Sequence, residues 1–478
     1  MPSIAIYAAN SLMNFVVGLA VARWLGPHEY GRFALGLSVS AFLAMAFFDW
    51  TRLCAIRFYS QETRVGNPRV RATLDAAFLT GAGIVALGAG ILALMGVRIA
   101  ASSGLLFAAA LGGATMGLYE YQTALLRARF ADRAYARLVL ARNAFALVVS
   151  AGGAYLFHSA LFALFAFSAS SFFGMAFAFA DLRDGAGFRN LADRAQMSVF
   201  VRYAAPILAS DVLYQVVPLG NRALISLGLG YAATGKFSLP FDLGIKLFGA
   251  LGATLDVLLF QLAVRAERLE GADAARERIA RNMGIVLAVA APVATGLWLV
   301  LPSLDALLIP PEFRATFAPW LTILLPGLFA FVIGQYAAMP ALKLAHRTAP
   351  ILRAGLAAVA VDFAVVGLTR GRPDASGFVL AQSLSFVAGA VALAISAARL
   401  SHRRPAAKDV AAPLIGCAAM AAAVWPLRGM SPGVPALLAQ AGLGVIVYGA
   451  IIWTTDVAGV REVLANTVAA RTRPAPQS

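Results

Sequence analysis

The chain has 478 residues, 60% of them apolar and 13% charged, with a mean hydropathy of +0.78. That composition excludes a soluble globular protein and predicts an all-α polytopic membrane protein. The net charge of +16 is laid out by loop rather than gathered into a nucleic-acid patch: 29 of the 39 basic residues follow the even-numbered apolar segments or lie in the tail, 9 fall on the opposite side, and Lys246 lies within a segment. This is the positive-inside bias, which sets both termini in the cytoplasm and excludes nucleic acid as a partner.

About 20 apolar residues cross a bilayer as a helix, and fourteen segments qualify: 4–25, 33–54, 74–97, 105–126, 138–157, 160–180, 203–228, 237–262, 283–309, 318–342, 350–370, 377–399, 410–427 and 434–454. The first lacks a basic leader and a small-residue cleavage site, so no cleavable signal peptide is expected. It runs into Leu25-Gly26-Pro27-His28-Glu29-Tyr30-Gly31-Arg32-Phe33-Ala34-Leu35. The pattern returns 204 residues on as Leu229-Gly230-Tyr231-Ala232-Ala233-Thr234-Gly235-Lys236-Phe237-Ser238-Leu239. Each copy lies between two apolar segments and reads as a Gly-pivoted turn with a cation at the water interface. Self-similarity at such a period is the mark of transporter duplication. The expected plan is an N-terminal lobe at 1–190 with spans 1–6, a C-terminal lobe at 191–405 with spans 7–12, and an appended pair, spans 13–14, with a cytoplasmic tail at 406–478. The two six-helix lobes are expected to be related by a pseudo-two-fold axis along the membrane normal.

Along the chain, segment 2 ends in Asp49-Trp50-Thr51-Arg52. Gly81, Gly83, Gly88 and Gly90 in segment 3, and Gly113 with Gly117 in segment 4, have the spacing that lets helices approach in lipid. Segment 4 then carries Glu120, flanked by Tyr119 and Tyr121, and segment 5 begins near Arg142-Asn143. The polar stretch from Asp181 to Gln196 divides the halves. Segment 7 contains Pro206, Asp211, Pro218 and Asn221-Arg222, and its two prolines predict a kinked or discontinuous helix. Segment 8 carries Asp242, Lys246 and Asp256. Asp242 and Lys246 are one helical turn apart and are expected to pair in low dielectric. The mixed-charge loop 264–281 reads as a helical extension. Gln335-Tyr336 lies in segment 10, Asp362 falls near the middle of segment 11, and the tail end is expected to be disordered.

Enzymatic signatures are not found. Gly230-x-x-x-x-Gly235-Lys236 imitates a phosphate-binding loop, but Phe237 stands where a Mg²⁺-ligating Ser or Thr is needed and no strand precedes it, so no nucleotide is expected. The four histidines (His28, His158, His346, His402) are scattered and predict no metal site. Cys54 and Cys417 lie within apolar segments, which argues against a disulfide. A membrane glycosyltransferase or oligosaccharide ligase would hold acids and bases over its substrate in a long outer loop. The outer loops here are about ten residues or shorter, too short for such a lid, and no enzyme is expected.

The run Ala20-x-Ala22-Arg23-x-Leu25-Gly26-Pro27-x-Glu29-Tyr30-Gly31-x-Phe33-Ala34-Leu35, with Asp49 and Arg57-Phe58-Tyr59 beyond it, resembles the opening of the polysaccharide biosynthesis (Wzx-like) flippases. These belong to the multidrug/oligosaccharidyl-lipid/polysaccharide exporter superfamily. Asn221-x-x-Leu224-Ile225, leading to Gly230-Tyr231 and Gly235-x-Phe237-Ser238-Leu239, resembles the start of that family's second lobe, although Asn221 stands where many members carry Asp. The resemblance implies a bacterial inner-membrane flippase that moves a polyprenyl-pyrophosphate-linked oligosaccharide, for lipopolysaccharide O-antigen or exopolysaccharide, by alternating access. It implies no cofactor beyond a coupling Na⁺ or H⁺, and as partners the lipid-linked substrate, membrane lipids and other polysaccharide assembly proteins. A pyrophosphate cargo calls for cations, and Arg142, Arg222 and Lys246 are the candidates. Glu120, Asp211, Asp242 and Asp362 are the candidate coupling or gating acids. A multidrug or small-solute antiporter of the same fold is the alternative.

Overall fold

The structure, a computed structural model, describes residues 2–95, 102–183, 192–345, 347–400, 403–459 and 461. Regular structure among these residues is helical with no strand, as lipid requires of a spanning chain that must satisfy its backbone groups within each segment. Helices α1 (Pro2–Phe47), α2 (Asp49–Phe58), α3 (Gln61–Gly66), α4 (Arg69–Leu94) and α5 (Ser103–Ala128) carry the first four apolar segments. The fifth is divided among α6 (Asp132–Phe145), a π-helical turn at Ala146–Ala151 and α7 (Gly152–Phe157), and α8 (Ala160–Ala176) with α9 (Phe179–Leu182) carries the sixth. Segments 7 to 9 are α10 (Arg194–Gly228), α11 (Gly230–Glu270) and α12 (Ala272–Leu308). Segment 10 joins α13 (Pro311–Val332), a second π turn at Ile333–Ala338 and α14 (Met339–Leu344). The last four are α15 (Ala349–Leu368), α16 (Ser376–Leu400), α17 (Ala407–Val424) and α18 (Val434–Thr455).

All fourteen segments thus fall mainly on helix where the residues are described, with turns or bends at Phe48, Met95, Phe177, Ala178, Ile309, Thr369 and Arg370. Among the described residues, ten helical stretches are by themselves long and apolar enough to cross a membrane. The two numbers differ partly because Leu12–Phe47 joins the first two segments and α8, at 17 residues, is short. The protein is an all-α polytopic membrane protein. Leu87, Leu94 and Val148 are among many exposed large apolar side chains, the surface expected of helices solvated by lipid.

The repeated turns explain how the long helices are jointed. α1 breaks at Gly26, whose φ of 67° and ψ of 174° lie outside the helical region, and Pro27 follows with its backbone pre-set for the next turn. The matching Gly230 has φ 83° and opens α11. The later glycines of the two copies serve a different purpose, because they pack on each other. A Cβ on Gly31 would collide with the carbonyl oxygen of Tyr231 and with Gly235, and a Cβ on Gly235 would collide with the carbonyl of Pro27 and with Gly31. Tyr231 is the counterpart of Pro27 and Gly235 of Gly31, so the contact is reciprocal, like the self-complementary surface of a two-fold dimer. His28 sets its ring edge-on to Tyr231 at 5.5 Å, and Glu29 pins the first turn by accepting from the Ala160 N–H at 2.9 Å at the start of α8.

Several expectations are revised. α10 is continuous through Pro206 and Pro218, which removes the discontinuous alternative for this segment. Bilayer helices tolerate proline because neighbouring groups can satisfy the freed carbonyl. In α4, Gly81 packs against the Phe47 carbonyl and the Phe48 ring as expected, but Gly83, Gly88 and Gly90 have open space where a Cβ would go, whereas Gly113 and Gly117 of α5 abut Leu43 and Phe48. The close-packing role of small residues therefore belongs to Gly81 and to α5. The 264–281 stretch is helical, as the ends of α11 and α12 joined at Gly271, which has φ 93°. Residues 184–191 of the 181–196 break and the tail end at 462–478 lie outside the described residues.

By contact, the chain forms two compact units. Unit 1 comprises Met1–Leu247, Pro310–Trp320 and Leu352–Ser385, and unit 2 comprises Phe248–Ile309, Leu321–Ile351 and Phe386–Ser478. Phe48, Leu74, Tyr121, Leu125, Leu138 and Phe200 are fully buried in a core of unit 1. In unit 2, α17 and α18 pack on each other and on α12, with Leu299, Met420 and Val424 enclosed. The Tyr448 hydroxyl donates to the Ala288 carbonyl at 2.6 Å.

The backbone contact makes a clear stability prediction. Gly31→Ala and Gly235→Ala are each expected to destabilise by about 1–3 kcal/mol, the usual consequence of overpacking. Gly83→Ala and Gly88→Ala are expected to be neutral or to gain up to about 1 kcal/mol from helix propensity. Thermal unfolding of the purified variants in detergent separates the two pairs.

Candidate functional site

All seven intramembrane candidates fall in unit 1, and they form three groups. In the first, α1 supplies Tyr30 and Ser38, α10 supplies Arg222, and α11 supplies Asp242 and Lys246. Arg222 is 5% exposed. One guanidinium nitrogen donates to a carboxylate oxygen of Asp242 in an ion pair, and the other donates to the Ser38 hydroxyl and lies 3.4 Å from the Ala34 carbonyl oxygen. The second Asp242 oxygen accepts from the Tyr30 hydroxyl at 3.2 Å. The guanidinium also lies over the Phe241 ring, 5.5 Å from its centroid.

This arrangement overturns the expected pairing of Asp242 with Lys246. Both carboxylate oxygens of Asp242 are engaged by Arg222 and Tyr30, and a guanidinium from another helix displaces the amine one turn along. Lys246 turns instead toward α1, where its amine donates to the Asn14 carbonyl at 3.4 Å. It occupies space left by Gly18, whose absent Cβ would lie 2.8 Å from Nζ.

The second group surrounds Asp362, which is 4% exposed. The Asn221 amide nitrogen donates both to Asp362 Oδ1 at 3.0 Å and to Gln382 Oε1 at 3.1 Å. Asn221 and Gln382 are themselves fully buried, and Asn221 Oδ1 and Gln382 Nε2 have no partner. A buried carboxylate linked through one amide nitrogen to the amide oxygen of Gln382 is a compact polar group in an apolar segment, suited to taking up a proton or a small hard cation.

The third group is centred on Arg52, which forms a two-point ion pair with Asp49, the Nη2–Oδ2 distance being 2.9 Å. Glu120 and Asp211 lie within electrostatic reach of the same guanidinium, and Arg142 within reach of Glu120. Arg142 is 6% exposed. It lies 4.1 Å from the Tyr119 ring centroid and 5.0 Å from that of Phe167, and its Nε has no hydrogen-bond partner. Such ring faces partly replace the hydration an arginine loses on burial. Gly174 makes room, since a Cβ there would press on the Arg142 side chain.

Five participants escaped the sequence reading of the site: Tyr30, Ser38, Asp49, Arg52 and Gln382. Asp49 and Arg52 sit one helical turn apart at the end of an apolar segment, a spacing that could have marked them as a pair. Ser38 and Gln382 carry no charge and gave only the weak signal of a neutral polar residue in an apolar run. In unit 2, Asp256, Asn282 and Tyr336 line a cavity of about 10 Å³, room for a single water.

With that geometry established, the fold can be placed. No protein-family model matches the chain, and no curated protein matches it in sequence. Among solved structures it is similar to those of the multidrug/oligosaccharidyl-lipid/polysaccharide exporter fold. The Lipid II flippase MurJ, in an inward closed conformation, matches with a TM-score of 0.72 at 12% identity, over 97% of this chain and 100% of that one. An inward-facing multidrug resistance MATE family transporter gives 0.62 at 12% identity, over 84% and 98%. The Vibrio cholerae MATE transporter VcmN gives 0.52 at 15% identity, over 84% and 95%. At these identities the likeness is one of fold.

The Arg222–Asp242 pair has a measurable signature. Asp242→Asn and Arg222→Gln each leave an uncompensated buried charge and are expected to destabilise by about 3–5 kcal/mol, while the double variant removes both charges and recovers most of that loss. Thermal unfolding of the two single variants and the double variant completes the cycle.

Proposed function

We propose that this chain is a flippase of the polysaccharide-biosynthesis (Wzx-like) kind, moving a polyprenyl-pyrophosphate-linked oligosaccharide across the bacterial inner membrane by alternating access of lobes 1–190 and 191–405. One observation carries the reading. Arg142 and Lys246 lie in apolar segments and make their direct contacts with aromatic rings or a backbone carbonyl, with Glu120 and Asp242 respectively within electrostatic reach but not in an ion pair with them. A cation held this way in an apolar segment is costly, and a pyrophosphate headgroup is an anion that would relieve the cost. Arg222, by contrast, is committed to Asp242 and acts as a latch between α1, α10 and α11. Likeness of fold to a protein described as a lipid II flippase supports a lipid-linked cargo.

Asp362, with Asn221 and Gln382, serves as the coupling site for Na⁺ or H⁺ in this reading, and Glu120 and Asp211 respond through Arg52. Other polysaccharide assembly proteins are the natural partners. The competing reading is a multidrug or small-solute antiporter, favoured by the likeness to MATE transporters.

Translocation in proteoliposomes carrying a polyprenyl-pyrophosphate oligosaccharide tests the assignment. Lys246→Met is expected to fold normally and to lose translocation by about tenfold or more, the equivalent of about 1.4 kcal/mol of phosphate binding. Asp362→Asn is expected to abolish stimulation by an ion gradient. Full translocation by Lys246→Met would remove that residue from the cargo site, and efflux of an organic cation without movement of the lipid-linked sugar would establish the antiporter.

Orientation is tested separately in a background with Cys54 and Cys417, both buried and free, replaced by Ala. Glu312→Cys is expected to react with an impermeant maleimide in intact cells. Glu270→Cys is expected to react only after permeabilisation, and the reverse pattern would invert the topology.

A further inference from the structure

Outside the three groups of unit 1, unit 2 contains a cavity of about 370 Å³, within the size range of small-molecule sites. Four stretches of chain enclose it: the end of α11, the first turns of α12, the end of α14 with the residues after it, and the end of α16 with the residues beyond. Arg276, Arg347, Arg403 and Arg404 line it, and Glu267 is the one acid among the lining residues. The rest of the lining is aliphatic or sulfur-bearing, including Ile279, Met283, Leu344 and Leu400 with a run of alanines, and Pro405.

The residue types discriminate among anionic ligands. Among the described residues that line the cavity there is no Asn, Gln, Ser, Thr, Tyr, Trp or His, so these offer neither the neutral hydrogen-bonding groups that read sugar hydroxyls nor an aromatic face on which a nucleobase stacks. They do offer guanidinium groups, which bind phosphate in a two-point fork, directly beside an apolar wall. Phosphate next to hydrocarbon is the chemistry of a phospholipid at the level where headgroup meets acyl chain. The four arginines belong to the set whose side of the membrane the positive-inside bias assigns to the cytoplasm, the side where anionic lipids draw basic residues.

We propose that this cavity binds one anionic phospholipid of the cytoplasmic leaflet, its phosphate held by Arg347, Arg403 and Arg404 with Arg276 at the edge, and its first acyl methylenes against the α12 and α16 side chains. Arg276 also reaches Asp273 at 2.8 Å, which holds it at the rim. Bound lipid ties the ends of α12, α14 and α16 together and makes the stability of unit 2 depend on membrane composition, whatever the cargo.

The test uses the full chain in detergent, titrated with phosphatidylglycerol or with phosphatidylcholine of the same chain length, and reads melting temperature together with the number of lipids retained in native mass spectrometry. Wild type is expected to retain one tightly held phosphatidylglycerol and to be stabilised by it but not by phosphatidylcholine. The triple variant Arg347→Gln, Arg403→Gln, Arg404→Gln is expected to need about a hundredfold more phosphatidylglycerol for the same stabilisation, given roughly 1 kcal/mol per basic residue near an anionic surface. A control triple on exposed unit 1 positions, Arg57→Gln, Arg69→Gln, Arg133→Gln, is expected to behave as wild type. If the control loses the effect equally, the lipid response is diffuse surface charge and the site does not exist. Equal stabilisation by inorganic pyrophosphate would show a site for free anions instead of lipid. If the Arg347/Arg403/Arg404 variant fails to fold, Ile279→Asp, which opposes the acyl chain with a carboxylate at the same wall, supplies the test, and an unchanged phosphatidylglycerol response in it would overturn the proposal.

Discussion

Backbone meets backbone where Gly31 of the first repeated turn packs on Gly235 of the second, and the geometry of unit 1 depends on that approach. Two chains can come this close only where neither has a side chain. The contact fixes where α1 and α11 emerge from their turns. Tyr30 and Ser38 on α1 are thereby set facing Asp242 on α11 and Arg222 on α10, so a steric condition at two glycines places an ion pair several residues away. The same condition explains why the repeat keeps Gly at both of its glycine positions for different reasons, the first for a positive φ and the second for close approach.

Much of this was legible in the chain. Hydropathy located the helices because lipid allows few other ways to satisfy a backbone, and the repeat located the turns because Gly is the residue that both a left-handed joint and a backbone contact demand. What the chain did not disclose was partner choice. Asp242 and Lys246, one turn apart, made a reasonable local pair. The carboxylate nevertheless prefers a guanidinium 20 residues upstream and a phenol 212 residues away in sequence, a preference set by helix packing that spacing does not reveal. Likewise Asn221 was visible as a departure from the expected Asp, but its link to Gln382 spans 161 residues. Gly83, Gly88 and Gly90 of α4 erred in the opposite direction, since a small-residue stripe signals close packing only where another helix arrives to use it, as one does at Gly81.

The three groups also differ in how completely their charges are met, and that difference assigns them different work. Arg222 and Asp242 satisfy one another and are shielded, which suits a latch. Arg52 with Asp49 forms a pair that two further acids can perturb, which suits a relay. Asp362 lies among amides, and Arg142 and Lys246 among rings and a carbonyl. Groups whose charge is incompletely met are those on which a ligand can act, because it supplies what the protein withholds.

Counting equivalent positions shows how unevenly charge is shared between the two copies of the repeat. With the same offset of 204 that superposes the turns, Ser38 corresponds to Asp242, Gly18 to Arg222 and Phe42 to Lys246. Every charge of the first group therefore resides in the second copy, while the first copy contributes a hydroxyl, a vacancy and a ring at the matching places. Arg222 bridges the equivalent pair Ser38 and Asp242, and Lys246 fills the hollow at Gly18, the counterpart of Arg222. On that alignment the second copy bears the charge and the first copy is its mould. A closed two-fold pair of identical chains would carry every charge twice, so a single asymmetric polar centre needs two copies that differ in sequence.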